Sequence, residues 1–103
     1  MNQNKKDWPF NEPHLYATFA THRVMDGSEP ILFVAHDAEA WQFIGPFEIS
    51  MRDALLVALA EVVRRDPTVM DLADLKTGWQ ASREFVGGPL TRMPQPPIPT
   101  EEK

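Results

Sequence analysis

The sequence predicts an α+β fold, in which a four-stranded, mainly antiparallel sheet carries one long and one short helix on one face. Two observations lead to this prediction. The chain has 103 residues, of which 43% are hydrophobic and 24% charged, which is the size and composition of a single globular domain. Its hydrophobic pattern also changes along the chain, from strand-like segments in the first half to a helix-like period near residue 51. The predicted element order is β-β-β-α-α-β.

Three predicted strands occupy the first half of the domain. Residues 14–25 are rich in β-branched and aromatic side chains, residues 31–35 form an unbroken apolar run, and residues 41–44 form a short third segment. The links between them are short, and Gly27 suits a tight turn in the first link, so we predict an antiparallel meander. The apolar run 31–35 also predicts that both of its faces are covered, by a docked N-terminal arm or by a second copy of the chain.

Two predicted helices and a fourth strand follow. Residues 51–65 repeat apolar side chains at the spacing i, i+4, i+7, which predicts the long helix. Asp66 and Pro67 are typical of an N-cap and a first helical residue, so a second, short helix is expected over residues 67–75. Residues 79–86 alternate between apolar and polar side chains, which predicts the last strand.

The chain divides into three predicted parts. Residues 1–13 form an N-terminal arm, residues 14–92 the α+β domain, and residues 93–103 a flexible tail with four prolines in eleven residues. Burial of Trp8 and Phe10 would offset the entropy of ordering one or two arm residues, so a docked arm and a frayed arm are both compatible with the sequence.

Charge argues against a nucleic-acid partner. The formal net charge is −5, and residues 15–92 hold seven basic and eleven acidic side chains. Nucleic-acid binding usually requires a basic stripe. The pair Arg64 and Arg65 is better explained as cations at a helix C-terminus. A basic protein partner is compatible with this charge.

Several other classes are excluded or disfavoured by composition. The chain has no cysteine, which excludes disulfides and thiolate chemistry. It has no apolar run of about 20 residues, and its first residues are polar, so neither a membrane span nor a signal peptide is expected. We therefore predict a cytoplasmic protein without membrane contact and without a cofactor.

No pattern of catalytic or metal-binding residues stands out. In the predicted meander His22 and His36 lie about 10 Å apart along the ladder, too far to share a metal ion. No serine lies in a nucleophile elbow, and a triad built from Ser82, His36 and an aspartate has no motif to support it. We predict that the protein is not an enzyme and has no catalytic, cofactor-binding or metal-binding residue.

The candidate partner-binding residues surround the second connection and two strand starts. His36, Asp37 and Glu39 lie in or beside the link before the third strand. Trp41 and Trp79 each begin a predicted strand. Both tryptophans suit a core position, and if they meet at one edge of the sheet they would frame a groove for a partner.

A set of short motifs resembles a group of small bacterial proteins of unknown function. The motifs span about Thr18 to Arg92 and are Ile31-Leu32-Phe33-Val34-Ala35-His36-Asp37, Trp41-Gln42-Phe43, Asp66-Pro67-Thr68, Leu72-Ala73-Asp74-Leu75 and Gly78-Trp79-Gln80-Ala81-Ser82-Arg83-Glu84. Some loosely related domains are immunity proteins of polymorphic toxin systems. The resemblance implies a protein partner and transfers no catalytic residue.

Three functional hypotheses remain open at this point. The first is a non-enzymatic protein-binding domain, of immunity type, whose acidic surface covers a basic partner. The second is a small hydrolase or ligand-binding domain with a pocket near His36, Asp37 and Trp41. The third is a homo-oligomeric structural component, in keeping with self-association through an apolar strand.

Overall fold

The computed structural model describes residues 8–38, 40–45 and 54–95. The described elements, in chain order, are β1 (Ala17–Thr21), α1 (His22–Met25), β2 (Phe33–His36), β3 (Trp41–Ile44), β4 (Ala54–Ala58), α2 (Leu59–Arg65), a 3-10 helix (Pro67–Leu72), β5 (Trp79–Ser82) and β6 (Thr91–Pro94).

The strands form one six-stranded mixed sheet in the order β4-β1-β3-β2-β5-β6. Strands β1 and β3 run parallel, and every other neighbouring pair is antiparallel. The α+β class is therefore confirmed. The predicted four-stranded, mainly antiparallel sheet with one long and one short helix is wrong, because the sheet has six strands and the helices are short.

The predicted meander fails at its first connection. Strand β1 ends at Thr21, where the chain enters α1 and buries Val24 completely. A loop with Gly27 at φ 86° then leads to Ile31, which is also buried. This connection is too long for a tight turn, so β1 pairs with β3 instead of β2. Consequently His22 is not part of a ladder with β2, and the expected 10 Å spacing between His22 and His36 does not apply.

The predicted long helix is half strand. Residues Ala54–Ala58 form β4 along β1, and only Leu59–Arg65 are helical; residues 51–53 lie outside the described part of the chain. Alanine and leucine are among the strongest helix formers, but such preferences amount to less than about 1 kcal/mol per residue, and pairing with the free edge of β1 overrides them. The buried residues of α2, Leu59 and Val62, come from the predicted apolar stripe.

The second predicted helix begins as expected and ends early. The Asp66 side chain accepts a hydrogen bond from the Thr68 backbone N–H at 3.0 Å, and Pro67 starts the helix, which confirms the predicted N-cap. The helix is of the 3-10 type and ends at Leu72, where an α-helix to residue 75 was expected.

Strand β5 is shorter than predicted, and β6 was not predicted. The strand ends at Ser82, and the next residue, Arg83, is buried on the core side. Strand β6 takes in Met93 and Pro94, the first two residues of the predicted proline-rich tail.

All the described helices pack on one face of the sheet. Cross-strand pairing puts Trp41 in one row with His36, and Phe43 in the next row with Val34. The buried cluster joins these strand residues to the helices and contains Phe10, Ala20, Val24, Ile31, Val34, Trp41, Phe43, Leu59, Val62, Val69, Leu72, Leu75 and Ala81. Each of the three described helices contributes to this core. We call the face of the sheet on which they pack the helix-covered face.

The described part of the N-terminal arm is docked on the same face. Phe10 is only 5% exposed, and its ring meets the ring of Trp41 edge-on at 5.4 Å. Trp8 stacks on His14 at 3.8 Å, and its Nε1 donates to the Glu12 carbonyl at 2.7 Å. Aromatic burial of this kind is enough to order a short arm.

None of the helices in the described ranges is long and apolar enough to cross a bilayer.

One surface ion pair ties β6 to the 3-10 helix region and titrates in acid. Arg92 donates to the Asp74 carboxylate at 2.9 Å and to the Asp71 carbonyl at 2.9 Å. Arg92 lowers the pKa of Asp74 below its ordinary value of 3.8. The main cause is the hydrogen bond, and the positive charge of Arg92 contributes further.

We expect this ion pair to stabilise β6 at neutral pH and to lose its effect as the pH falls below 3.8. The sign follows because a carboxylate with a lowered pKa binds its proton less readily in the folded chain than in the unfolded one. Amide hydrogen exchange of β6 measures the effect. Asp74→Asn should speed that exchange at pH 7, whereas Asp71→Asn should not, because Asp71 contacts Arg92 through its backbone.

Candidate functional site

Three of the predicted partner-binding residues lie in one row across three strands. His36 on β2 pairs with Trp41 on β3 and with Trp79 on β5. Paired residues share a face, so all three lie on the helix-covered face. The structure thus brings the three residues together, and His36 lies between the two tryptophans. The two tryptophan backbones are two strand spacings apart, which is about 10 Å.

Trp41 is a core residue in this arrangement. It is 1% exposed and stacks on His36 at 3.9 Å with an interplanar angle of 14°. Its Nε1 has no hydrogen-bond acceptor among the described residues. Its burial removes its side chain from the surface that a partner would meet.

His36 is held by a backbone carbonyl on one side and a carboxylate on the other. Its Nδ1 lies 2.7 Å from the Leu75 carbonyl oxygen, which only accepts, so Nδ1 carries a proton. Its Nε2 lies 3.8 Å from Glu12 Oε2, and the two side chains are 15% and 19% exposed. The imidazole therefore joins the arm to the segment after the 3-10 helix.

Hydrolytic triads also contain a carboxylate beside an imidazole. Among the described residues, however, no serine lies beside His36 to act as the nucleophile. Such a site needs a hydroxyl within hydrogen-bond reach of the imidazole. Ser82 pairs with Phe33, three residues from His36 along β2, and so points to the opposite face of the sheet. Ser28 is bonded to the Asp26 carboxylate at 2.6 Å and lies in an exposed turn. Ser50 lies outside the described residues.

Asp37 lies beyond the end of β2 and is bound by two amides. Gln42 donates to one carboxylate oxygen at 2.7 Å and Gln95 to the other at 2.9 Å. Gln95 also donates from its backbone to the Gly78 carbonyl. These bonds fix the end of β6 against β2. The remaining candidate, Glu39, lies outside the described residues.

Trp79 is half-buried and borders a cavity of about 230 Å³. The other lining residues are Asp74, Leu75, Lys76 and Arg92. A charged pair and an aromatic wall are present, but Asp74 and Arg92 already bind each other. This cavity is therefore open to solvent, and its two oppositely charged side chains already bind each other. No group of three or more histidine, aspartate or glutamate side chains in the described ranges is placed to hold a metal ion.

The other face of the sheet has a different character, and sequence analysis did not identify the residues that form it. Two cross-strand rows form what we call the open face. The rows are Leu56, Phe19, Gln42, Ala35, Gln80 and Met93, and Ala54, Thr21, Ile44, Phe33, Ser82 and Thr91. Not one of these residues is charged. The buried side chains of the described helices belong to the opposite face, so none of those helices lies on it.

Exposure on the open face rises toward the two edges of the sheet. Leu56 is 66% exposed at one edge and Met93 is 46% exposed at the other. Between them, Phe19, Ile44 and Phe33 are half-buried. Alternation within each strand would have indicated these positions, but without the correct register the strands could not be assembled into one surface.

The acidic side chains do not form a comparable surface within the described ranges. Glu61 pairs with Arg64 at 3.4 Å and Glu29 with Arg23 at 3.6 Å. The Asp26 carboxylate is bound by the Ser28 hydroxyl and backbone, which lowers the pKa of Asp26. Much of the negative charge is thus balanced locally.

A buried ion pair, which sequence analysis also missed, holds the start of the 3-10 helix against the segment before β2. The Arg83 side chain is 4% exposed and donates to the Asp66 carboxylate at 2.8 Å. It also donates twice to the Ile31 carbonyl, at 3.0 and 2.8 Å, and once to the Thr68 hydroxyl at 2.8 Å. In the sequence Arg83 follows the alternation of β5 onto the core side, and that alternation was the available signal.

The chain was compared with protein-family models, with curated proteins and with solved structures, and none of them matched.

Proposed function

We propose that the protein is a non-enzymatic protein-binding domain and that the open face is its binding surface. The observation that carries the proposal is the composition of that face: two full rows of a six-stranded sheet without a charged residue. The cores of protein interfaces are depleted in charged residues and enriched in aromatic residues and methionine. Phe19, Phe33 and Met93 fit this composition.

The partner that suits this surface is another protein with an apolar, weakly charged patch. Gln80 on β5 adds hydrogen-bonding groups to the face, which would orient such a partner. In the immunity-type form of the proposal, the partner is a toxin domain that this chain covers. The local pairing of many carboxylates favours recognition through the open face over recognition through negative charge alone.

The hydrolase hypothesis receives less support from the described residues. His36 is stacked on Trp41 and held by Leu75 and Glu12, which suits a structural role. Ser82, the serine considered for a triad with His36, lies on the opposite face of the sheet. The binding function needs no such group.

Photo-crosslinking in the cells that naturally produce the chain tests the proposal. A benzoylphenylalanine is placed at Gln80, which lies on the open face between Ala35 and Met93, and at Asp71, which is exposed on the 3-10 helix. We expect the Gln80 variant to form a discrete adduct with a different protein, and the Asp71 variant to form none. The partner, once identified by mass spectrometry, is then titrated with the purified chain.

A charge placed on the open face should weaken that complex. We expect Gln80→Arg to raise the Kd by about tenfold or more, because an uncompensated charge in an interface core costs at least about 1.4 kcal/mol. The matched variant Asp71→Arg should leave the Kd unchanged. The proposal is overturned if the Gln80 position gives no adduct, gives only adducts with the chain itself, or if both arginine variants bind the partner equally well.

A further inference from the structure

One edge of the sheet, β4, is built from five uncharged residues, Ala-Leu-Leu-Val-Ala. Of the described strands, only β1 pairs with it. Leu55 and Leu56 point to opposite faces and are 38% and 66% exposed, so the strand presents leucine on both sides. Natural proteins usually protect an edge strand with charge, proline or a covering element, because its free backbone groups bind other strands.

The backbone groups that point away from β1 can be assigned. The Leu59 backbone N–H donates to the Tyr16 carbonyl at 2.8 Å, so Leu59 and Tyr16 form a hydrogen-bonded pair that continues the β4–β1 register. Hydrogen-bonded and non-bonded pairs alternate in an antiparallel ladder. Val57 and Leu55 therefore bond to β1. The N–H and C=O groups of Ala54 and Leu56 and the N–H of Ala58 point outward, whereas the C=O of Ala58, the N-cap of α2, accepts the first hydrogen bond of that helix.

The other edge of the sheet, β6, is protected. Its sequence is Thr-Arg-Met-Pro, in which Pro94 has no backbone N–H and Arg92 is charged and bound to Asp74. The two edges thus differ in kind. A β4 strand would form few favourable contacts with β6 of another molecule. Copies of the chain are therefore not expected to join head to tail into an open chain.

The outward groups of β4 are complementary to themselves. If two β4 strands meet antiparallel around a two-fold axis at Leu56, Leu56 faces its own copy and Ala54 faces Ala58. The two Leu56 residues exchange two backbone hydrogen bonds, and each Ala58 N–H donates to the Ala54 C=O of the other copy, so four hydrogen bonds join the two strands. Only alanines flank the central leucines on that face, so the strands can approach closely.

We propose that the chain forms a closed two-fold dimer through β4, which joins two six-stranded sheets into one of twelve strands. Paired residues share a face, so the two open faces lie side by side on the same surface of the dimer. The binding surface in the proposed function is thereby doubled. The dimer does not depend on that function, since it rests on the edge of the sheet and not on the face.

Sedimentation velocity of the full chain measures the assembly. We expect a species of twice 11.7 kDa that does not grow larger as the concentration rises. Leu56→Lys places two like charges opposite each other at the axis and should raise the dimer Kd by at least about 100-fold. The control is Met93→Lys, at the other end of the same cross-strand row, which should leave the dimer intact.

A second variant covers the case in which lysine at the axis disturbs folding. Ala58 has φ −70°, which proline adopts without strain, and its N–H points outward. Ala58→Pro should therefore keep the circular dichroism spectrum of the folded chain and lose the dimer. A monomeric native chain, a series of higher oligomers, or a dimer that Met93→Lys breaks as readily as Leu56→Lys would each overturn the proposal. None of these results affects the crosslinking test at Gln80.

Discussion

Replacing Arg83 with methionine should remove about 3–5 kcal/mol from the free energy of unfolding. The reason is that Arg83→Met leaves the Asp66 carboxylate buried without its cation and deprives the Ile31 carbonyl and the Thr68 hydroxyl of a donor. Domains of this size have total stabilities of about 5–15 kcal/mol, so the loss would be a large fraction of the whole. Urea unfolding at a fixed protein concentration measures it.

The matched control is another arginine with a carboxylate partner. Arg64 pairs with Glu61 at 3.4 Å, but their side chains are 74% and 50% exposed. Arg64→Met should therefore change the free energy of unfolding by no more than about 0.5 kcal/mol. Equal losses for the two variants would show that burial of the Arg83 pair contributes nothing special to stability.

Replacing Phe10 with alanine should cost about 3–4 kcal/mol, although Phe10 lies in the predicted N-terminal arm. The ring is 5% exposed and contacts both Trp41 and Trp8, at 5.4 and 5.5 Å between ring centroids. Its removal leaves a cavity over the centre of the core. Urea unfolding followed by tryptophan fluorescence measures the loss in Phe10→Ala.

Leu15 provides the comparison, because it is the same kind of apolar residue only five positions away. It is 81% exposed. Leu15→Ala should change the free energy of unfolding by less than about 0.5 kcal/mol. If Phe10→Ala were equally mild, the arm would unfold separately from the domain and could not be counted as part of the core.

The candidate site was predictable only in part. His36, Trp41 and Trp79 were predicted as candidate partner-binding residues, and strand pairing places them in one row. Their orientation could not be obtained from the sequence, because a tryptophan at the start of a strand suits a core and a groove equally well. The residues of the open face could not be predicted, because they depend on the register of all six strands and most of those registers involve residues far apart in the chain.

Local signals determined the features that depend on a few adjacent residues. The strand at Trp41–Ile44, the N-cap at Asp66 and the positive φ of Gly27 all follow from the chemistry of one to four residues, and the structure has each of them. The α+β class likewise follows from the change of period along the chain. Tertiary structure decided the rest, because the competing local preferences differ by only a few tenths of a kcal/mol per residue. Residues Ala54–Ala58 form a strand because they pair with β1 through a ladder of backbone hydrogen bonds. Strand β1 lies beside β3 and not β2 because the chain enters α1 directly after β1.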